Sequence, residues 1–151
     1  MNTDRLVNEF IEMVKISSLS LKEGKFAAVL ADKLKALGFE IYIDKAGEQT
    51  GGDTGNVLAR LKGNSDIQPV LFCAHMDTVV PGENINPIIR DGVIYSDGQT
   101  VLGSDDKAGI AAILEAIKYI KEKNLPHGDI ELAFTICEEG GMLGAKNMDY
   151  S

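Results

Sequence analysis

Residues 70–79 (VLFCAHMDTV) constrain the fold of this chain more than any other stretch. They begin as a continuous apolar run, which is typical of a strand that is buried on both faces of a sheet. The run ends at His75 and, two residues later, at Asp77. Because side chains alternate along an extended backbone, both can lean to the same side. A histidine that binds a metal commonly has a carboxylate on its other ring nitrogen, so this pattern predicts a ligand site at the carboxyl end of a strand.

Length and composition indicate one soluble globular domain. The 151 residues are 44% hydrophobic and 25% charged. Fifteen basic and 23 acidic residues give a net charge of −8, and the pI near 4.7 argues against nucleic acid or an anionic membrane as a partner. No apolar run approaches the roughly 20 residues of a membrane helix. The first residues are not followed by the apolar core of a signal peptide, so we expect a cytoplasmic protein.

Hydrophobic periodicity predicts alternating helices and strands. Apolar residues at helical spacing predict helices near residues 6–14, over residues 21–37 and over residues 106–123. Ser20 and Glu23 match a capping box that opens the second of these helices. Besides the run at residue 70, strands are predicted over residues 39–43, 56–61, 93–95 and 130–137.

Two further features concern loops and cysteines. Residues 46–56 contain four glycines, so we expect a loop there. Cys73 and Cys137 lie in apolar, strand-like runs and form no CxxC unit. We therefore expect both cysteines to be small buried residues in a reducing compartment.

Three polar clusters stand at the ends of predicted buried elements. The first is His75 with Asp77, the second is the aspartate pair 105–106 before a helix, and the third is the glutamate pair 138–139 after a core strand. Each cluster has a structural explanation of its own, as a surface loop, a helix cap or a solvated turn. Adjacent ionised carboxylates repel one another, and a divalent cation relieves that repulsion. Together the three clusters favour a metal site.

The ligand types suit zinc, with manganese or cobalt as alternatives, because one imidazole and several carboxylates fit a borderline divalent ion. A carboxylate between two ions can bridge them, while a neighbouring glutamate takes a proton from water. Other catalytic arrangements fit less well. The sequence has no G-x-S-x-G, and residues 98–104 have the glycine spacing of a phosphate loop but lack its lysine.

Residues 74–79 (AHMDTV), 102–109 (LGSDDKAG) and 138–140 (EEG) together resemble the M20 family of co-catalytic zinc aminopeptidases and carboxypeptidases. Residues 84–89 (NINPII) and 96–98 (SDG) are most similar to its peptidase T (tripeptide aminopeptidase) branch. The resemblance implies a three-layer α/β fold with a mixed, largely parallel sheet flanked by helices. It also implies a zinc-dependent exopeptidase that acts on short peptides.

The resemblance further implies a role for each motif residue. His75 would bind the first of two zinc ions, and Asp77 would hold its ring. Asp105 would bridge both ions and form a cis peptide bond with the next residue. Glu139 would bind the second ion, and Glu138 would be the general base. The implied mechanism is attack of a zinc-bridging hydroxide on a polarised peptide carbonyl, with Glu138 carrying the proton to the leaving amine.

Members of the family are more than twice as long as this chain. Their further portion carries two more metal ligands and a lid domain that serves dimerisation and substrate closure. We therefore expect residues 1–151 to be the amino-terminal part of the catalytic domain, inactive alone, from a parent protein that can be a homodimer. Within the family, an N-acyl amino acid deacylase or a dipeptidase is the alternative. Outside enzymes, a non-catalytic folding or assembly module is the alternative.

Overall fold

The order of helices and strands follows the periodicity of the sequence. The computed structural model describes residues 1–150. The helices are α1 (Thr3–Val14), α2 (Gly24–Ala36), α3 (Ala46–Thr50), α4 (Ser104–Glu122) and α5 (Leu143–Lys146). The strands are β1 (Glu40–Ile43), β2 (Val57–Leu61), β3 (Val70–His75), β4 (Ile88–Arg90), β5 (Val93–Tyr95) and β6 (Ile130–Thr135).

The main sheet has four strands in the order β1–β2–β6–β3, and β4 and β5 form a separate hairpin. In the main sheet, β3 and β6 run parallel, with Val70 opposite Ile130 and His75 opposite Thr135. The residues that follow two parallel strands leave the sheet at the same end. This register therefore brings His75 and residues 138–139 to one end of the sheet.

The sheet is mixed and packs against helices, as expected, but its pairing is less parallel than we expected. Both β1 with β2 and β2 with β6 are antiparallel, so only one of the three pairs is parallel. Parallel neighbours need a long crossover, and α4 supplies one between β3 and β6. The connection from β1 to β2 contains only the short α3, and the chain returns beside β1 in the opposite direction.

The hydrophobic core lies between one face of the sheet and the long helices. Helix α2 packs on β1 and β2, α4 packs on β3, and α1 packs on α4. Both helices and strands contribute large, fully buried side chains to this core, among them Phe26, Leu30, Leu34, Ile110, Leu114, Ile117, Leu132 and Phe134. Burial of this apolar surface is the main force that holds the helices to the sheet.

The opposite face of the sheet is not covered by a helical layer within residues 1–150. Its side chains include Arg60, Glu131 and Leu71, which lie in register across three strands and are exposed. Cys73 is also exposed, contrary to the expectation that both cysteines are buried, whereas Cys137 is buried. The difference arises because Cys73 belongs to the uncovered face. The described residues thus form two of the three expected layers.

The expected loop over residues 46–56 contains the short helix α3. This helix ends at Thr50, and the next residue, Gly51, has a φ of +80°, a left-handed conformation that glycine adopts without strain. Asp44 Oδ1 accepts a hydrogen bond from the Ala46 amide at the start of this helix. Periodicity does not reveal such a helix, because it has little more than one turn. Among residues 1–150, no helix combines the length and apolar character needed to cross a bilayer.

Candidate metal centre

The three polar clusters meet at the carboxyl end of the parallel strand pair. His75 is the last residue of β3, and Glu138 and Glu139 follow β6. Asp105 lies at the start of α4, the helix that crosses from the β3 side of the molecule to β6. The carboxyl ends of parallel strands are where open α/β sheets bind their ligands.

The ring of His75 is fixed on one side and faces carboxylates on the other. Its Nδ1 lies 2.9 Å from the backbone oxygen of Asp77 and 3.4 Å from Asp77 Oδ1. Its Nε2 lies 3.1 Å from Asp105 Oδ1 and 3.9 Å from Glu138 Oε2. Burial lowers the pKa of His75, but the hydrogen bonds with Asp77 and Asp105 outweigh burial and raise the pKa to about 9. The negative potential that favours a proton at Nε2 also favours a metal cation there.

His75, Asp105 and Glu139 form a group that can hold a metal ion. Their ligand atoms all lie within 4.8 Å of one another. His75 is buried, whereas Asp105 and Glu139 are exposed, so the group opens to solvent on its carboxylate side. One imidazole nitrogen with two carboxylate oxygens fits zinc, manganese or cobalt. The residues present therefore suit the metal that the sequence predicts.

The two adjacent aspartates have different tasks. Asp106 Oδ1 accepts a hydrogen bond from the Gly109 amide, so Asp106 caps the regular part of α4. Asp105 keeps a non-helical backbone with ψ of 107°, and its carboxylate faces His75. The Asp105–Asp106 peptide bond is cis, as the resemblance implies. The structure thus separates the capping aspartate from the candidate ligand, which the sequence alone left open.

Asp77 connects the histidine to the glutamate pair. It is fully buried, and its Oδ1 and Oδ2 accept hydrogen bonds from the amides of Glu138 at 2.9 Å and Glu139 at 3.2 Å. Ser20 Oγ also donates to Oδ2, at 2.6 Å. Burial raises the pKa of Asp77, but the hydrogen bonds with His75, Ser20 and the Glu138 amide outweigh it and lower the pKa below the usual range. A charged Asp77 can therefore orient both halves of the site.

The capping box expected at Ser20 and Glu23 is wrong. Helix α2 begins at Gly24, and neither side chain caps it. The Ser20 hydroxyl instead donates a hydrogen bond to Asp77, and Glu23 Oε1 accepts hydrogen bonds from the amides of Leu21 and Cys137. Both side chains support the site, and sequence reasoning missed this because S-x-x-E is a helix-start pattern.

Lys107 is a further residue that sequence reasoning missed. Its side chain is fully buried, and burial lowers its pKa to about 8. Its Nζ donates to the Ile16 backbone oxygen at 2.7 Å and lies 4.6 Å from the centre of the Phe26 ring. These contacts anchor the start of α4, and with it Asp105, to the segment after α1 and to helix α2.

Comparison with known proteins identifies the family. The sequence model of Peptidase family M20/M25/M40 matches residues 71–149, which is more than half of the chain and includes all three clusters. The chain belongs to this family.

Solved structures of M20 relatives have the same fold over nearly the whole chain. An aminopeptidase PepT from Bacillus cereus superposes with a TM-score of 0.97 and 47% identity over 99% of this chain. A tripeptidase from Staphylococcus aureus superposes with a TM-score of 0.96 and 41% identity, also over 99% of this chain. A peptidase T from Escherichia coli O1:K1 is 33% identical over an alignment of 190 residues that covers 97% of this chain. The chain spans 40% of the length of both structures and 45% of the E. coli relative.

Proposed function

We propose that this chain forms part of a zinc-dependent exopeptidase that hydrolyses short peptides as a tripeptide aminopeptidase does. The observation that carries the proposal is the convergence of His75, Asp105 and Glu139 at the end of β3 and β6. Membership of the M20 family supports a peptidase, and the likeness to an aminopeptidase PepT and a tripeptidase supports short peptides with a free amino terminus as substrates.

Each candidate ligand has a distinct place in this proposal. His75 binds metal through Nε2, because Asp77 occupies the other side of the ring. Asp105 belongs to the same ligand group as His75 and Glu139, and its carboxylate would be shared by two ions. When bound, the metal polarises the peptide carbonyl and lowers the pKa of the attacking water.

Glu138 is the general base in this proposal. Its Oε2 lies 3.9 Å from His75 Nε2, and its side chain is 41% exposed, so it borders the site and is open to substrate and water. It accepts a proton from the attacking water and delivers that proton to the nitrogen of the leaving amine. Asp77 accepts a hydrogen bond from the Glu138 amide, and this bond keeps the Glu138 carboxylate beside the ligands.

Residues 1–151 alone should have little or no peptidase activity. They provide His75 with Asp105 for one ion and Asp105 with Glu139 for the other. Catalytic zinc sites usually have three protein ligands for each ion. The uncovered face of the sheet favours the alternative of a non-catalytic assembly module for the chain on its own.

The test is an assay of the whole protein and of this chain on tripeptides with free and with acylated amino termini. The whole protein should release the amino-terminal residue of free tripeptides, lose activity to a chelator and regain it with zinc. Glu138→Gln should lower kcat by about 100-fold or more, because general-base catalysis contributes that much, and should leave the zinc content unchanged. Preference for acylated substrates would favour the deacylase, and activity that survives chelation would contradict the proposal.

A further inference from the structure

Glu23 is a fully buried carboxylate beside the metal centre that has no part in the proposed reaction. It lies just before α2, in the segment that also holds Ser20. It is outside the group of ligand atoms formed by His75, Asp105 and Glu139. Burying a carboxylate is costly unless it is hydrogen-bonded, so its contacts should have a purpose in the fold.

The Glu23 carboxylate holds the backbone immediately before the two glutamates. Its Oε1 accepts hydrogen bonds from the Cys137 amide at 2.9 Å and from the Leu21 amide at 3.0 Å. The next two amides, of Glu138 and Glu139, are held by Asp77. The buried carboxylates of Glu23 and Asp77 therefore accept hydrogen bonds from three consecutive backbone amides, those of residues 137–139. This segment carries the proposed general base and one proposed metal ligand.

This segment needs such support because its backbone is unfavourable. Cys137 has a φ of +49°, in the left-handed region that side chains other than glycine, asparagine and aspartate rarely adopt. A non-glycine residue keeps this conformation only when its surroundings enforce it. The hydrogen bond from the Cys137 amide to Glu23 acts at that residue, and it fixes the direction in which the following glutamates leave β6.

The hydrogen bonds of Glu23 depend on the position of a single oxygen, Oε1, which the length of the side chain determines. Within residues 1–150, the buried Oε2 of Glu23 has no hydrogen-bond partner. Both amide bonds end on Oε1, which an uncharged glutamine can supply equally well. An aspartate keeps the charge but withdraws the oxygen by one methylene.

We propose that Glu23 is a positioning residue that sets the direction of Glu138 and Glu139 through the Cys137 amide. The inference rests on the proposed metal site and extends it to a residue that touches neither metal nor substrate. It assigns the effect to hydrogen-bond reach and not to charge.

The test compares zinc affinity in Glu23→Gln, Glu23→Asp and the unchanged chain, by competition with a chromophoric chelator. Glu23→Asp should bind zinc about tenfold or more weakly, as is typical when a group that orients ligands is lost. Glu23→Gln should stay within about threefold of the unchanged chain, as should the control Glu115→Gln, whose buried carboxylate pairs with Arg5 away from the site. Thermal unfolding of the metal-free variants separates a loss of affinity from a loss of fold.

Equal affinity for Glu23→Gln and Glu23→Asp would overturn the inference. So would weak binding by the glutamine and normal binding by the aspartate, since charge would then be the cause. If Glu23→Asp does not fold, Glu23→Asn against Glu23→Gln makes the same comparison of reach between two neutral side chains. Failure of the unchanged chain to bind zinc would contradict the metal site itself, and the inference with it.

Discussion

Buried carboxylates in this molecule have two kinds of partner. Glu115 is paired with a cation, since Arg5 Nε lies 2.6 Å from its Oε2 at the contact between α1 and α4. Asp77 and Glu23 instead receive backbone amides around the candidate site. The ion pair of Glu115 with Arg5 stabilises the packing of α1 on α4. The hydrogen bonds to Asp77 and Glu23 fix the backbone of the segment that carries the proposed ligand and base.

The pair of Glu115 with Arg5 should make stability depend on pH below neutrality. The hydrogen bond with Arg5 lowers the pKa of Glu115 from 4.5 to about 2. Between these values the unfolded chain binds more protons, so the contribution of the pair is complete above pH 4.5 and is lost as the pH falls towards 2. In urea unfolding, the stability of the unchanged chain should therefore fall more steeply from pH 5 to pH 3 than that of Glu115→Gln. Parallel curves for the two proteins would contradict this account.

Among single residues, the sequence motifs pointed to side chains that lie close together, but not to the residues that support them. The ligand atoms of His75, Asp105 and Glu139 lie within 4.8 Å of one another, and their roles as metal ligands stay predictions. Ser20 and Glu23 could not be recognised, because their partners at the site, Asp77 and Cys137, are more than 50 residues away in sequence and their spacing fits an ordinary helix start.

At the scale of elements, β3 is an edge strand of the sheet formed by residues 1–150. It carries three exposed apolar side chains, of which Leu71 is the most exposed at 57%. An apolar edge with free backbone groups is a template for pairing with another chain. The sequence pattern identified this strand as buried, which holds for Ala74 and His75 but not for its first four residues.

We predict that the chain self-associates through β3 and that Leu71→Lys weakens this association. Leu71 lies opposite Glu131 on β6, so a lysine there gains an oppositely charged cross-strand neighbour and should not destabilise the sheet. The association constant from sedimentation should fall by about tenfold or more, because burying one leucine contributes about 1.5–3 kcal/mol. The control Val80→Lys changes an exposed residue outside the strands. An equal effect of both substitutions would exclude the edge as the contact.

Local elements were predictable where periodicity is strong, as in α1, α2 and α4. The order of strands was not, because pairing joins segments that are far apart in sequence. The place of β6 between β2 and β3 depends on the crossover through α4, and no pattern within a single strand specifies it.

At the scale of the whole molecule, the fold brings together three motifs that lie about 30 residues apart. The parallel pair of β3 and β6, with α4 crossing between them, places His75, Asp105 and Glu139 within reach of one ion. Because this arrangement exists within a chain that spans 40–45% of its relatives, we predict that these residues alone prearrange a metal site.

The zinc content of the chain tests whether this metal site is preformed. The chain is dialysed against zinc and then against buffer, and bound zinc is measured by elemental analysis for the unchanged chain, Asp105→Ala and the control Asp66→Ala, which removes an exposed acid. About one zinc per chain should remain in the unchanged protein and the control, and almost none in Asp105→Ala. Equal zinc in all three proteins, or none in the unchanged chain, would contradict a preformed site at Asp105.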